Sequence, residues 1–188
     1  MENTELGIIE SILRAAKEKN ASDIHLAAGM RPMFRVDGDL IPASEEMVEP
    51  EETESLLHML LNEEQMKKLQ EKGGTETVRS AGLCRVRLSA FRQRGSYAMT
   101  LHMLPADIPS KEEIGLPDSL FTMAGRKSGL ILIAGVTGSG KTTTASSFVA
   151  GLANDAARSV VTIERPIEYL FLPERSIVCQ REVGADCI

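Results

Sequence analysis

The sequence predicts an α+β N-terminal domain followed by the beginning of an α/β domain. Three observations carry this. A helix-period segment is followed by short alternating strands joined by turn signals. A later pair of segments alternates basic and apolar residues with a period of two. The last third contains a continuous apolar run, a glycine-rich loop, a helix and a second apolar run.

The elements follow in order. Residues 6–19 read as an amphipathic helix, with Ile8, Ile9, Ile12, Leu13 and Ala16 at helical spacing and Asn20 and Ser22 punctuating its end. Residues 22–26 and 32–36 read as short strands. Asp37-Gly38 is a hairpin signal, and residues 39–41 are the return strand. Pro50, Glu51 and Glu52 open a second helix, where acids suit the positive N-terminal end, and Leu56, Leu57, Leu60 and Leu61 form its stripe. Asn62 interrupts it, residues 63–72 continue as a further short helix, and Gly73-Gly74 stops that one.

Two strands are expected next, at residues 84–92 and 96–104, with a turn near residues 93–95. Arg85, Arg87 and Ser89 alternate with Val86, Leu88 and Ala90, so one face is basic and the other apolar. Pro105, Pro109 and Pro117 mark a linker. A short helix at residues 117–124 precedes the apolar run 129–134, which reads as a buried parallel strand. A helix to about residue 152 and a second buried strand at 159–163 complete one βαβ unit.

Composition limits the function classes. Hydrophobic residues are 43% and charged residues 26% of the 188, as in an ordinary soluble globular chain. The net charge of −6 argues against a dedicated nucleic-acid binder. Cys84, Cys179 and Cys187 form no Cys-x-x-Cys pair and read as free thiols. The N-terminus has no basic region ahead of an apolar stretch, and the longest apolar run is too short to span a bilayer. A cytoplasmic protein, with peripheral attachment to a membrane partner allowed, is expected.

The strongest motif is Gly135-Val-Thr-Gly-Ser-Gly-Lys-Thr142, which fits G-x-x-x-x-G-K-[ST] at every fixed position. Gly138 and Gly140 permit backbone conformations that a side chain would block. The loop's N–H groups can then converge on phosphate oxygens, aided by the start of the following helix. Lys141 would approach the β and γ phosphates, and Thr142 would offer its hydroxyl to Mg²⁺. The expected ATP-binding set is Gly135, Thr137, Gly138, Ser139, Gly140, Lys141, Thr142 and Thr143, with Thr142 as the metal ligand. A Rossmann site fits poorly, because its loop has no Lys-Thr pair.

Residues 130–144 together with Val160-Val-Thr-Ile-Glu-Arg-Pro-Ile-Glu-Tyr-Leu170 resemble the ATPases of type II secretion and type IV pili. Gln180-Arg-Glu-Val-Gly184, Ala21-Ser-Asp-Ile-His-Leu26, Arg31-Pro-Met-Phe-Arg-Val-Asp-Gly38 and Gln93-Arg-Gly95 match as well, in order along nearly the whole chain. The short N-terminal region is most similar to the pilus-retraction branch. Pilus-assembly and type II secretion ATPases, which usually carry additional N-terminal sequence and often a tetracysteine zinc loop, are the alternative within the family.

The resemblance implies a PAS-like domain over residues 1–104, a linker at 105–116 and an incomplete RecA-like P-loop NTPase domain at 117–188. It implies a homohexameric ring that turns ATP hydrolysis, with Mg²⁺, into motion against an inner-membrane platform protein. Glu164 and Glu168 hold the family's "Asp box" positions and would polarise water or metal. Arg87 and Arg94 sit best on the family pattern for N-terminal-domain arginines that reach a neighbour's γ-phosphate, where they would stabilise transition-state charge.

Two departures stand out. Arg165 replaces the usual aspartate of the Asp box; it would repel the metal, pair with Glu164 or phosphate, or simply be an exposed charge. The chain also ends at Ile188, ahead of the family's Walker B strand and His box. The expectation is therefore a fragment or truncated product, partial or inactive as an ATPase on its own. A nucleotide-binding module without turnover is the alternative from another class.

The remaining residues have plainer readings. The arginines of the hairpin, Arg85, Arg87, Arg92 and Arg94, are also what a solvated sheet face would show. His102 lies where the family often has another Arg and is a weaker phosphate partner. His25 reads as structural, Asp23 as a turn cap, and the methionines as core or interface filler.

Overall fold

The computed structural model describes residues 2–188 apart from Gly82, Leu83, Gly125 and Lys127, and the side chains of residues 2–8 and 124 lie outside that description. Ile8, one of the expected stripe residues, falls among them. The chain divides into two compact units, Met1–Leu104 and Pro105–Ile188.

The first unit is an antiparallel sheet covered on one face by helices. Helix α1 (Glu2–Glu18) is followed by β1 (Asp23–Ala27), β2 (Met33–Val36) and β3 (Asp39–Pro42). Then come α2 (Pro50–Leu60), α3 (Glu63–Lys72), β4 (Gly74–Ala81), β5 (Cys84–Gln93) and β6 (Ser96–Leu104). The strand order is β3-β2-β1-β6-β5-β4, and every neighbouring pair is antiparallel.

Local chemistry sets most of these boundaries. Asp37 (φ 51°) and Gly38 (φ 93°) are both left-handed, which gives the two-residue turn between Val36 and Asp39. Arg94 (φ 49°) and Gly95 (φ 82°) repeat that geometry between Gln93 and Ser96. Asn62 does more than interrupt. Its Oδ1 accepts from Gln65 N–H at 2.9 Å while Gln65 Oε1 accepts from Asn62 N–H at 3.0 Å, a reciprocal cap that starts α3. Gly73, at φ 77°, ends that helix in the left-handed conformation.

Alternation along the strands builds the core. Val86, Leu88 and Ala90 of β5 point inward and are buried, as are Ile24 and Leu26 of β1. They meet Ile9, Leu13 and Ala16 of α1 and Leu56, Leu57 and Leu60 of α2. Strand β4 was not expected from the sequence: residues 74–81 are mostly polar and lack an apolar alternation. Its pairing with β5 over Gly74–Ala81 opposite Cys84–Phe91 makes it a strand, an edge that only the tertiary fold supplies.

The second unit contains α4 (Asp118–Ala124), α5 (Lys141–Asp155), β7 (Ser159–Glu164) and β8 (Ile177–Glu182). Strands β7 and β8 pair in parallel, Ser159 opposite Ile177 through Glu164 opposite Glu182. Strand β8 was also not expected.

Two expectations are corrected here. Residues 129–134 form no strand, and Leu130 and Leu132 are 87% and 82% exposed. The βαβ unit therefore lacks its first strand. Apolar sequence signals a wish for burial, but a parallel strand also needs a hydrogen-bonding neighbour. Among the described residues β7 and β8 pair only with each other, and neither pairs with 129–134. The second correction follows from the same shortage: β7 is not buried but alternates exposed and half-buried, with Val161 and Ile163 on the open face.

Helices α4 and α5 pack through an aromatic contact. Phe121 stacks on Phe148 with centroids 4.8 Å apart and planes at 23°. Gly151 lies under that ring, where a Cβ would stand 2.7 Å from Phe121 Cε1 and 3.0 Å from Cδ1. Alanine is the better helix former by about 1 kcal/mol, yet overpacking typically costs about 1–3 kcal/mol. Gly151→Ala should therefore fail to stabilise the second unit, and adding Phe121→Leu should recover stability. Urea unfolding of the two variants, followed by circular dichroism, checks the order.

Candidate functional site

The glycine loop leads directly into α5. Gly138 (φ 79°) and Gly140 (φ 84°) are left-handed, and Gly140 is the residue from which the helix starts, its carbonyl accepting from Thr144 N–H at 2.8 Å. Such turns suit glycine because a Cβ would meet the following carbonyl. At Gly135 a Cβ would lie 2.5 Å from Ser139 Oγ, so the loop folds closely over its first residue. Lys141 is folded back, Nζ donating to the Val136 carbonyl at 2.7 Å. An ammonium has three donors, so two remain for an anion. Thr142 is exposed, whereas Thr143 is half-buried and its hydroxyl lies 3.1 Å from that of Tyr169.

The segment after β7 comes to the same helix. Glu164 is the last residue of β7, half-buried on the face shared with Thr162, Gln180 and Glu182. Its Oε1 accepts from Thr162 Oγ1 at 2.7 Å and from Gln180 Nε2 at 3.1 Å. Oε2 receives no hydrogen bond among the described residues and is open to a cation or a water. Arg165 is exposed and has no hydrogen-bond or ion-pair partner among the described residues, so it neither pairs with Glu164 nor blocks it. Glu168 is half-buried in the following loop, beside the buried Tyr169.

Sequence reasoning named the loop, Glu164 and Glu168 but missed Tyr169 and Gln180. The Gln180-Arg-Glu-Val-Gly184 motif was a signal for Gln180, yet it gave no indication of what the side chain would touch. Gln180 uses its whole amide: Nε2 also donates to the Tyr169 carbonyl at 2.8 Å, and Oε1 accepts from Phe171 N–H at 3.0 Å.

The arginine hairpin belongs to the first unit. On the sheet face away from the helices, Arg35, Asp23, His102 and Arg87 stand in register across β2, β1, β6 and β5. Arg87 is half-buried in this row, while Arg94 is exposed at the tip of the β5–β6 turn. A left-handed non-glycine residue costs about 1–2 kcal/mol, and Asn or Gly would serve the turn better. His102 Nδ1 donates to Asp23 Oδ1 at 2.9 Å, Ser22 Oγ donates to Oδ2 at 2.7 Å, and Arg35 Nε lies 3.7 Å away. Asp23 is thus a link in a charged row rather than only a turn cap.

Partial burial pushes the Asp23 carboxyl up, but the hydrogen bonds from His102 and Ser22, with the nearby histidine charges, hold it below its ordinary 3.8.

The chain matches the family described as "Type II/IV secretion system protein" over residues 4–179, and it belongs to that family. It is 35% identical over 178 residues to the type IV pilus ATPase PilU of Pseudomonas aeruginosa, covering 94% of this chain and 47% of that protein. It is 32% identical over 181 residues to the type IV pilus retractation ATPase PilT of the same organism, covering 96% and 53%. A crystal structure of the pilus retraction motor PilT with bound ADP superposes with a TM-score of 0.88 at 40% identity, over 97% of this chain and 52% of that one. The chain thus spans about half the length of these relatives. Among the described residues no helix is long and apolar enough to cross a membrane.

Because Asp23 titrates lower in the folded state than in the unfolded chain, its contribution to stability is present above about pH 3.8 and is lost as pH falls through the folded value. Asp23→Asn should be less stable than the parent near neutrality, and the gap should narrow as the pH falls below about 3.8. Urea unfolding of the first unit across that range checks it.

Proposed function

We propose that this chain is the ATP-binding part of a motor ATPase that retracts type IV pili and so drives twitching motility. The observation that carries the reading is the loop Gly135–Thr142, with its left-handed Gly138 and Gly140 at the start of α5, in a chain so similar to a retraction motor crystallised with ADP. The first unit is read as PAS-like, residues 105–116 as a linker, and residues 117–188 as part of a RecA-like ATPase domain.

The residues fit ATP and Mg²⁺. Gly135, Thr137, Gly138, Ser139, Gly140 and Thr143 belong to the loop and first helical turn that would surround the phosphates. Lys141 has two donors to spare for the β and γ phosphates. Thr142, exposed at the first turn of α5, would ligate the metal, and Glu164, with one free carboxylate oxygen, would hold metal-bound water. Glu168 would assist there. Bound Mg²⁺ would supply charge neutralisation between phosphate oxygens. Arg87 and Arg94 would complete the site of a neighbouring copy in a homohexameric ring, which accounts for an arginine in a turn position that favours glycine. The ring would work in the cytoplasm, peripherally at the inner membrane against a platform protein.

One observation favours a second reading, binding without turnover: Arg165, a cation without a partner among the described residues, follows Glu164 where the family has an acid. Measured ATP turnover by this chain would remove that reading.

Titration with a fluorescent ATP analogue tests the binding step. Saturable binding is expected, and Lys141→Ala should weaken it by about 10- to 100-fold, the worth of a charged hydrogen bond. Absence of binding by the parent chain would overturn the assignment.

A further inference from the structure

We infer that Gln180 is a positioning residue for the metal side of the nucleotide site, acting on Glu164 and, through Tyr169, on the first turn of α5. The inference rests on the ATP–Mg²⁺ reading above.

The geometry is specific. A primary amide has two N–H donors and one carbonyl acceptor. Gln180 directs its donors to Glu164 Oε1 and the Tyr169 carbonyl, and its acceptor to Phe171 N–H. It is thereby fixed in orientation, because exchanging its oxygen and nitrogen would set an oxygen against two oxygens. Tyr169 is buried, and its hydroxyl meets Thr143 Oγ1 at 3.1 Å. Thr143 follows Thr142 in the chain, so the two groups read as facing the metal are joined through Gln180, Tyr169 and Thr143.

Both bonds to Glu164 fall on Oε1. Thr162 reaches it from the same strand, whereas Gln180 reaches it from β8. The carboxylate is therefore held from two directions with Oε2 left over. Groups that orient a metal-side ligand commonly matter about 10- to 100-fold to metal affinity. Through the Tyr169 carbonyl and the Phe171 N–H the amide also fastens the loop that carries the hydroxyl to α5.

The experiment uses the 188-residue chain and a fluorescent ATP analogue, titrated with Mg²⁺ and again with excess EDTA. The ratio of the two affinities is the metal contribution. Gln180→Met keeps length and apolar volume but removes the amide. It should lower the metal contribution by about tenfold or more and leave the EDTA affinity within about twofold. A general loss of folding would instead lower both affinities.

Glu164→Gln should lower the metal contribution in the same way. The double variant Glu164→Gln/Gln180→Met should match Glu164→Gln alone, because the amide acts through that carboxylate. Should Gln180→Met fail to fold by circular dichroism, Tyr169→Phe decides, since it removes only the hydroxyl. A reduced metal contribution at unchanged EDTA affinity then supports the relay, and a parent-like value overturns it.

An unchanged metal contribution in folded Gln180→Met, or full additivity with Glu164→Gln, overturns the inference while ATP binding stands. ATP binding by the parent that Mg²⁺ does not strengthen also overturns it. No ATP binding by the parent overturns the nucleotide reading, and this inference with it.

Discussion

A strand's backbone has to find partners, and much of what distinguishes the two units follows from how each meets that demand. In the first unit six strands pair in sequence-local hairpins and one longer return, so that β1 lies between β2 and β6 and only β3 and β4 are edges. Side chains of alternating character then fall on a helix-covered face and an open face. In the second unit, among the described residues, the strands β7 and β8 pair with each other and with no other strand. The apolar segment at 129–134 has no strand partner among the described residues, and its leucines are exposed.

Side chains do in the second unit some of what sheet hydrogen bonds do in the first. The loop after β7 is anchored by Gln180 at the Tyr169 carbonyl and Phe171 N–H, and by Glu182 Oε2 accepting from Ile167 N–H at 3.1 Å. These anchors come from the inward face of β8, the same face that presents Glu164 on β7. Parallel register thus places the loop's fasteners and the acid side by side. Gln180 fastens both Glu164 and the loop, so the acid's position is tied to the loop's.

The first unit holds its charges differently. Arg35, Asp23, His102 and Arg87 come from four strands and meet only because antiparallel register aligns them. Arg94 stands apart at a turn, where backbone preference alone would have selected glycine or asparagine. A residue kept against its conformational preference points to a role for its side chain. The proposed contact with a neighbouring copy's phosphate would be such a role.

Much was legible in the sequence because much is decided within a few residues. Asp37-Gly38, the break at Asn62, Gly73, and the loop from Gly135 to Thr142 are local instructions, and each produced its local conformation. The alternation of Arg85, Arg87 and Ser89 with Val86, Leu88 and Ala90 likewise determined which face is buried. What the tertiary structure alone decided was pairing. It made a strand of the polar segment Gly74–Ala81, left the apolar segment 129–134 without one, and brought Gln180 to Glu164 and Tyr169. The physical reason is that turns and caps are satisfied by near neighbours in the chain. A strand or a buried amide is satisfied only by groups the fold brings from elsewhere, and no local pattern states whether those groups will be there.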